Sequence, residues 1–337
     1  MKKSVLKTIS AILLLAFAAS CFAGCALRDK DQGPAVVPID LDATDNNPGD
    51  TQPASGDATN DTSPSTGADT TEVGPAPATG KVSRPADLAT INTVSRAYFP
   101  DSDMSTGTWY PGKTKYDPAT GEVSVTFDRA QETLDLLDKY GAIYLKNSDQ
   151  KVCYLTFDCG YENGVTGQIL DVLKEKDVKA VFFVTGTYIT SAPALLKRML
   201  DEGHIVGTHT VNHLNMADLS DEQFIEEILG NEKLLKEQIP DAPDMVYYRP
   251  PMGGASEWAL AMAQGMGLTT VFWSFAYYDY DVDNQWDVQE ALQNAEDGLR
   301  PGCVYLLHAV STTNAAMLGD LIDFIRGQGY EIRRIDR

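Results

Sequence analysis

Tyr154-Leu155-Thr156-Phe157-Asp158-Cys159-Gly160-Tyr161-Glu162-Asn163-Gly164 is the stretch that decides how the rest of the chain folds. Residues 151–157 are rich in β-branched and aromatic side chains, the composition of a short buried strand. The strand gives way to an acid, a thiol and a glycine before a helical pattern opens near Thr166. A carboxylate at the C-terminal end of a parallel strand is a frequent position for catalysis, whereas a lone Asp at such a place often only turns or caps the chain. The segments on either side decide between the two.

Downstream, short apolar runs alternate with helical patterns. Strands are predicted at 151–157, 180–184, 205–208, 245–248, 269–273, 303–307 and 331–334. Between them, Leu195, Leu196 and Met199 form an apolar stripe behind Ser191 and Pro193. Ser220 with Gln223 makes a capping box ahead of Phe224, Ile225, Ile228 and Leu235. Such alternation implies an α/β fold with a mostly parallel sheet, and seven units suggest a distorted (β/α)7-type barrel rather than an open doubly wound sheet. No glycine-rich phosphate loop follows any strand, so nucleotide-binding readings lose their main support.

Upstream, the composition changes. Lys2 and Lys3 precede an apolar run over 11–19 that is too short to span a bilayer, which reads as an export signal over residues 1–25. The run ends in Ser20-Cys21-Phe22-Ala23-Gly24-Cys25, similar to the lipobox of bacterial lipoproteins, with Cys25 as the candidate for lipidation. Simple secretion is the other reading. From Asp31 to Gly80 there is no Lys, Arg or aromatic residue, so residues 26–95 are expected to form a disordered tether that cannot bury enough apolar surface to fold. Residues 96–150 carry Tyr98, Phe99, Trp109 and Tyr110 and one helical run near 129–140, and read as an irregular extension packed on a catalytic domain over 151–337. The net charge of −21 argues against nucleic acid as a partner.

Three of the four histidines lie just beyond predicted strand ends. His209 and His213 have the i, i+4 spacing of metal ligands if the segment is helical or tightly turned, although such a pair also occurs as packing or surface residues. His204 precedes its strand, at the opposite end, and reads as structural. His308 ends the 303–307 strand, Arg249 precedes Pro250 and Pro251, and Asp279 lies beyond Val271-Phe272-Trp273. A barrel gathers the C-terminal ends of its strands around one mouth, which would bring these residues to Asp158.

The segments 156–160, 209–213, 249–251, 279–280 and 306–308 resemble, in order, the five motifs of the polysaccharide deacetylases, carbohydrate esterase family 4. Within that family the chain is similar to the delta-lactam-biosynthetic muramic-acid de-N-acetylases. The resemblance implies a divalent cation that polarises an acetamide carbonyl, with Asp158 as general base, Arg249 orienting it, His308 as general acid and Asp279 supporting His308. It further implies the Met252 backbone N–H as oxyanion donor, Tyr280 as part of the groove wall, and His209 and His213 as metal ligands. Peptidoglycan glycan strands, N-acetylmuramic acid above all, are the implied substrate, met on the outer face of the cytoplasmic membrane or in the cell wall.

Cys159 stands where most of the family has a second, metal-binding Asp. Either its thiolate completes a Cys159, His209, His213 set suited to zinc, or it never touches metal and two imidazoles remain. Tyr280 and Met252 also depart from the family's usual Trp and Tyr, which bears on substrate rather than chemistry. Cys153 and Cys303, each five residues before Asp158 and His308, are either a cross-strand disulfide or small core residues. The rival functions are a catalytically impaired glycan-binding wall lipoprotein and a deacetylase of another acetylated polysaccharide.

Overall fold

A computed structural model describes residues 80–84, 88–93, 113–116, 123–126 and 131–336. The signal over 1–25, Cys25 and most of the expected tether lie outside the described residues. The first elements are two antiparallel hairpins, β1 (Gly80–Arg84) with β2 (Leu88–Thr93) and β3 (Lys113–Tyr116) with β4 (Val123–Thr126). The β1–β2 hairpin falls inside the stretch expected as a tether. Val82, Leu88 and Ile91 in a Thr-rich context, split by Pro85-Ala86-Asp87, are a strand-turn-strand signal that the polar composition upstream obscures. Helix α1 (Gln131–Lys139) matches the helical run near 129–140.

All seven predicted downstream strands form: β5 (Val152–Cys159), β6 (Val181–Val184), β7 (Ile205–Thr208), β8 (Tyr247–Tyr248), β9 (Thr269–Thr270), β10 (Cys303–His308) and β11 (Glu331–Ile332). They pair in the order β10-β5-β6-β7-β8-β9, every pair parallel, and β11 adds to the start of β5. Parallel pairing sends all C-terminal strand ends to one rim. The gap between β9 and β10 is filled partly from upstream, where Ile143 bridges Val271 and Leu145 bridges Cys303, and partly by the chain after β9, where Phe275 bridges Tyr305. Ile143 accepts the Phe272 N–H at 2.7 Å and donates to the Thr270 carbonyl at 2.8 Å. Residues 143–145 are therefore part of the barrel wall, and no packing boundary falls at residue 151.

Helices α2 (Thr166–Glu175), α3 (Gly186–Ser191), α4 (Pro193–Asp201), α5 (Asp221–Gln238), α6 (Glu257–Gly265), α7 (Val288–Asp297) and α8 (Thr312–Gly327) occupy the connections. Helix α5 opens on the expected capping box, in which the Ser220 hydroxyl accepts the Gln223 N–H and the Gln223 side chain accepts the Ser220 N–H. Alternation along β5 sorts its side chains into two layers. Cys153, Leu155, Phe157 and Cys159 join the core shared with α2, α4 and α8, whereas Val152 and Tyr154 join Val181, Phe183, Tyr247, Val271 and Val304 in the barrel interior. Thr156 and Asp158 follow the interior set.

Candidate active site

Asp158 is the last interior-facing side chain of β5, and it is almost completely buried. A buried carboxylate is costly unless paired. Arg249, directly after β8, meets that need: its Nη1 donates to Asp158 Oδ1 at 2.7 Å. The guanidinium itself is fully buried, with Nε donating to the Val271 carbonyl and Nη2 to the Phe272 carbonyl, both at 3.0 Å. Its face lies 4.2 Å from the centre of the Phe183 ring. That ring has its place because β7 carries Gly207 opposite it: a Cβ at 207 would come within 2.8 Å of the Phe183 ring. Burial raises the Asp158 pKa, but the charge of Arg249, helped by His209 and His308, prevails and holds the carboxyl below its ordinary range. Asp158 is thus ionised across neutral pH.

His209 follows β7 and is buried beside Asp158, with Nε2 3.5 Å from Asp158 Oδ2. Its Nδ1 lies 2.8 Å from the Arg249 carbonyl, which as an acceptor requires the proton on Nδ1. Burial lowers its pKa to about 4, so the ring is neutral and its Nε2 lone pair faces the site. The 209–213 segment is a tight turn and not a helix, with Thr210 (φ 66°) and His213 (φ 58°) both left-handed. The turn brings the His213 ring to 4.8 Å from that of His209, centre to centre. His213 sits at the solvent-exposed rim, and the desolvation by the wall behind it lowers its pKa.

Two side chains of α5 hold this strained turn. Glu227 accepts the Asn212 backbone N–H at 2.8 Å and its side-chain amide at 2.7 Å, and Asn231 donates to the Thr210 carbonyl at 2.8 Å. Glu227 and Asn231 are four residues apart on the buried face of a helix, where polar residues are uncommon. That placement was the only signal for them in the sequence.

His308 is the register partner of Asp158 on the adjacent strand. Its Nδ1 lies 2.6 Å from Asp279 Oδ1, while Asp279 Oδ2 accepts the His308 backbone N–H at 2.8 Å. Burial alone would lower the His308 pKa, but the adjoining Asp279 carboxylate reverses this and raises it. Asp279 also accepts from Asn314 Nδ2 at 2.6 Å. Tyr280 stands edge-on to the His308 ring at 5.3 Å and is half exposed. Met252 has a left-handed backbone (φ 57°) in the turn after Pro251 and an exposed side chain. His204 is buried at the far end of the barrel, where its Nδ1 accepts the Ala180 N–H, in keeping with a structural role.

Cys159 does not join the site. It is the eighth residue of β5 rather than a loop residue, so the pleat turns its side chain away from Asp158 into the helix-facing core. There it is fully buried, and desolvation, with Asp158 and Glu162 nearby, pushes the thiol pKa well above its ordinary value. The thiol thus lies on the face of β5 opposite to Asp158. Cys153 and Cys303 are register partners in the same layer, and both thiols are free.

Among the described residues no cluster of three or more His, Cys, Asp or Glu side chains forms a ready-made metal site. What the mouth offers is two neutral imidazoles, one with its tautomer fixed by a backbone carbonyl, beside an ionised carboxylate. The His209 Nε2 lone pair and Asp158 Oδ2 face each other without a proton between them, an arrangement that suits a cation.

Comparison with known proteins agrees with this geometry. The family model described as polysaccharide deacetylase matches residues 145–271. The chain is similar to the peptidoglycan-N-acetylmuramic acid deacetylase PdaA of Bacillus subtilis, 42% identical over 210 residues, or 62% of this chain and 79% of that protein. An uncharacterized 30.6 kDa protein of Geobacillus stearothermophilus is 44% identical over 209 residues, covering 62% of this chain and 78% of its own. The solved structure of Bacillus subtilis PdaA, a family 4 carbohydrate esterase, superposes with a TM-score of 0.62 at 36% identity, covering 67% of this chain and 95% of that one.

Proposed function

The chain belongs to the polysaccharide deacetylase family, carbohydrate esterase family 4, hydrolases of amide bonds, and from that premise we propose that it de-N-acetylates amino sugars of peptidoglycan, with N-acetylmuramic acid on the route to muramic delta-lactam as its substrate. One observation carries the reading: Asp158, its pKa held down beside Arg249, and His308, its pKa raised by Asp279, occupy the same rung of neighbouring strands, beside the paired rings of His209 and His213. Environments that push two titratable groups apart in this way divide the work into base and acid.

Asp158 takes the proton of the attacking water, and Arg249 fixes which carboxylate oxygen is free to do so. As the C–N bond breaks, the protonated His308 ring donates to the departing nitrogen, so that water and amide become acetate and a free amine. Asp279 holds the imidazolium through Nδ1, leaving Nε2 for that proton transfer. The Met252 N–H donates to the oxygen that gains charge, and Tyr280 walls the groove. A divalent cation, zinc by the preference of imidazole donors, would be held by His209 and His213 and would supply Lewis acidity at the amide carbonyl.

The same reading places the protein outside the cytoplasmic membrane, anchored by lipid at Cys25; the support is the export signal over 1–25 and the polar stretch that follows it. Incubation of the zinc-loaded protein with peptide-stripped glycan strands tests the activity. Released acetate matched by free amine on muramic acid is the expected result, and amine on glucosamine instead would reassign the sugar. Strands that bind without acetate release under any divalent cation would replace the hydrolase with a glycan-binding role.

A further inference from the structure

The acid half of the site is mounted on the first turn of α8. Asn314 is fully buried there and spends its whole amide on the His308 assembly. Its Nδ2 donates to Asp279 Oδ2 at 2.6 Å and to the His308 carbonyl at 3.0 Å, and its Oδ1 accepts the Tyr277 hydroxyl at 2.5 Å. The amide cannot turn over. A flip would set its oxygen against the Asp279 carboxylate and the His308 carbonyl, both of which can only accept.

Three donors therefore converge on Asp279: the His308 ring, the His308 backbone N–H and Asn314. Because Asn314 is uncharged, it satisfies one carboxylate oxygen without neutralising the charge that His308 needs, and it fixes the torsion that aims the other oxygen at Nδ1. Gln285 ties the same parts together from outside. Its Nε2 donates to the Asp279 and Asp281 carbonyls, and its Oε1 accepts from the Ser311 hydroxyl at 2.5 Å and from the Thr313 N–H at 3.4 Å.

We propose that Asn314 is a positioning residue for His308, acting through Asp279 and oriented by Tyr277. The proposal rests on the reading of His308 as the proton donor. A buried Asn that only filled hydrogen bonds would affect folding; this one also sets the geometry of the acid.

The test uses Asn314→Ala and Tyr277→Phe in the zinc-loaded full chain. For Asn314→Ala, kcat is expected to fall on the order of tenfold or more with KM within about twofold, the effect of removing one hydrogen bond to a charged group from the chemical step. Tyr277→Phe should lose less and add nothing to Asn314→Ala. In a His308→Gln background neither change should slow the residual rate further. In protein labelled with 15N-histidine, the low-field proton on His308 Nδ1 should move in both variants.

If Asn314→Ala fails to fold, the conservative Tyr277→Phe decides alone. A KM effect with kcat intact, an unmoved Nδ1 proton, or the same fold-loss in the His308→Gln background would each overturn the proposal. Should the unaltered protein release no acetate from any glycan, the functional reading fails, while the Nδ1 proton still judges the positioning role by itself.

Discussion

Replacing Asp279 by Asn isolates the charge that keeps His308 an acid. The side chain stays the same size, but three N–H donors converge on a carboxylate that has two accepting oxygens. An amide has only one accepting oxygen, so as long as the ring keeps its Nδ1 proton, either orientation leaves an N–H facing another N–H in a buried place. The larger consequence is electrostatic. Burial pulls the His308 pKa down and the Asp279 carboxylate is the main group pushing it up, so without the charge the ring drops below its ordinary value. A hydrogen bond to a charged partner contributes about 1.5–3 kcal/mol, which corresponds to about 1–2 pK units at 1.36 kcal/mol per unit.

Since the acid acts in its protonated form, the alkaline limb of the rate profile moves to lower pH by about that amount. Above the new limb the rate falls roughly 10- to 100-fold. A second consequence concerns stability. A group whose folded pKa is raised stabilises the protein below its unfolded pKa and loses that contribution as pH rises through the folded value. Asp279→Asn should therefore lower the melting temperature more at pH 5 to 6 than at pH 9, about the ordinary imidazole pKa of ~6.5. The assay is acetate release from peptide-stripped glycan between pH 5 and 10, with thermal melts alongside. An alkaline limb that stays in place would refute the reasoning.

Two further outcomes follow from the packing. Cys159→Ala should leave bound zinc per chain unchanged and cost about 1 kcal/mol of stability through lost core volume; loss of zinc measured by elemental analysis would return the thiol to the ligand set. Gly207→Ala should destabilise the fold by about 1–3 kcal/mol in denaturant titration, because a Cβ there would come within 2.8 Å of the Phe183 ring that supports Arg249; wild-type stability would contradict it.

The strand-helix rhythm was legible because most of the strands are short apolar runs, and even the two-residue β8 and β9 fall inside predicted segments. The convergence of Asp158, Arg249, Asp279 and His308 was legible too, since parallel pairing fixes which end of every strand meets the others. Cys159 was ambiguous because the sequence suggests that the strand stops at Phe157. Two more paired residues, opposite Phe183 and Val184, extend the pleat and send the thiol to the other face. Glu227 and Asn231 were legible only as polar residues on the apolar face of a helix, and Gln285 and Asn314 not at all: the work of all four lies in hydrogen bonds to turns distant along the chain. The closing role of 143–145 was hidden for a related reason, since a three-residue bridge has no periodicity to detect.

The role of His308 as the acid is tested most directly by the rate of His308→Gln, which keeps a polar side chain at the rim but cannot donate as an imidazolium. With zinc bound and glycan saturating, kcat is expected to fall by roughly 10²–10⁴-fold, the usual contribution of a positioned acid, while KM and zinc content stay as in the unaltered protein. A variant that releases acetate at the unaltered rate would contradict the assignment of the acid and, with it, the pairing of His308 with Asp158.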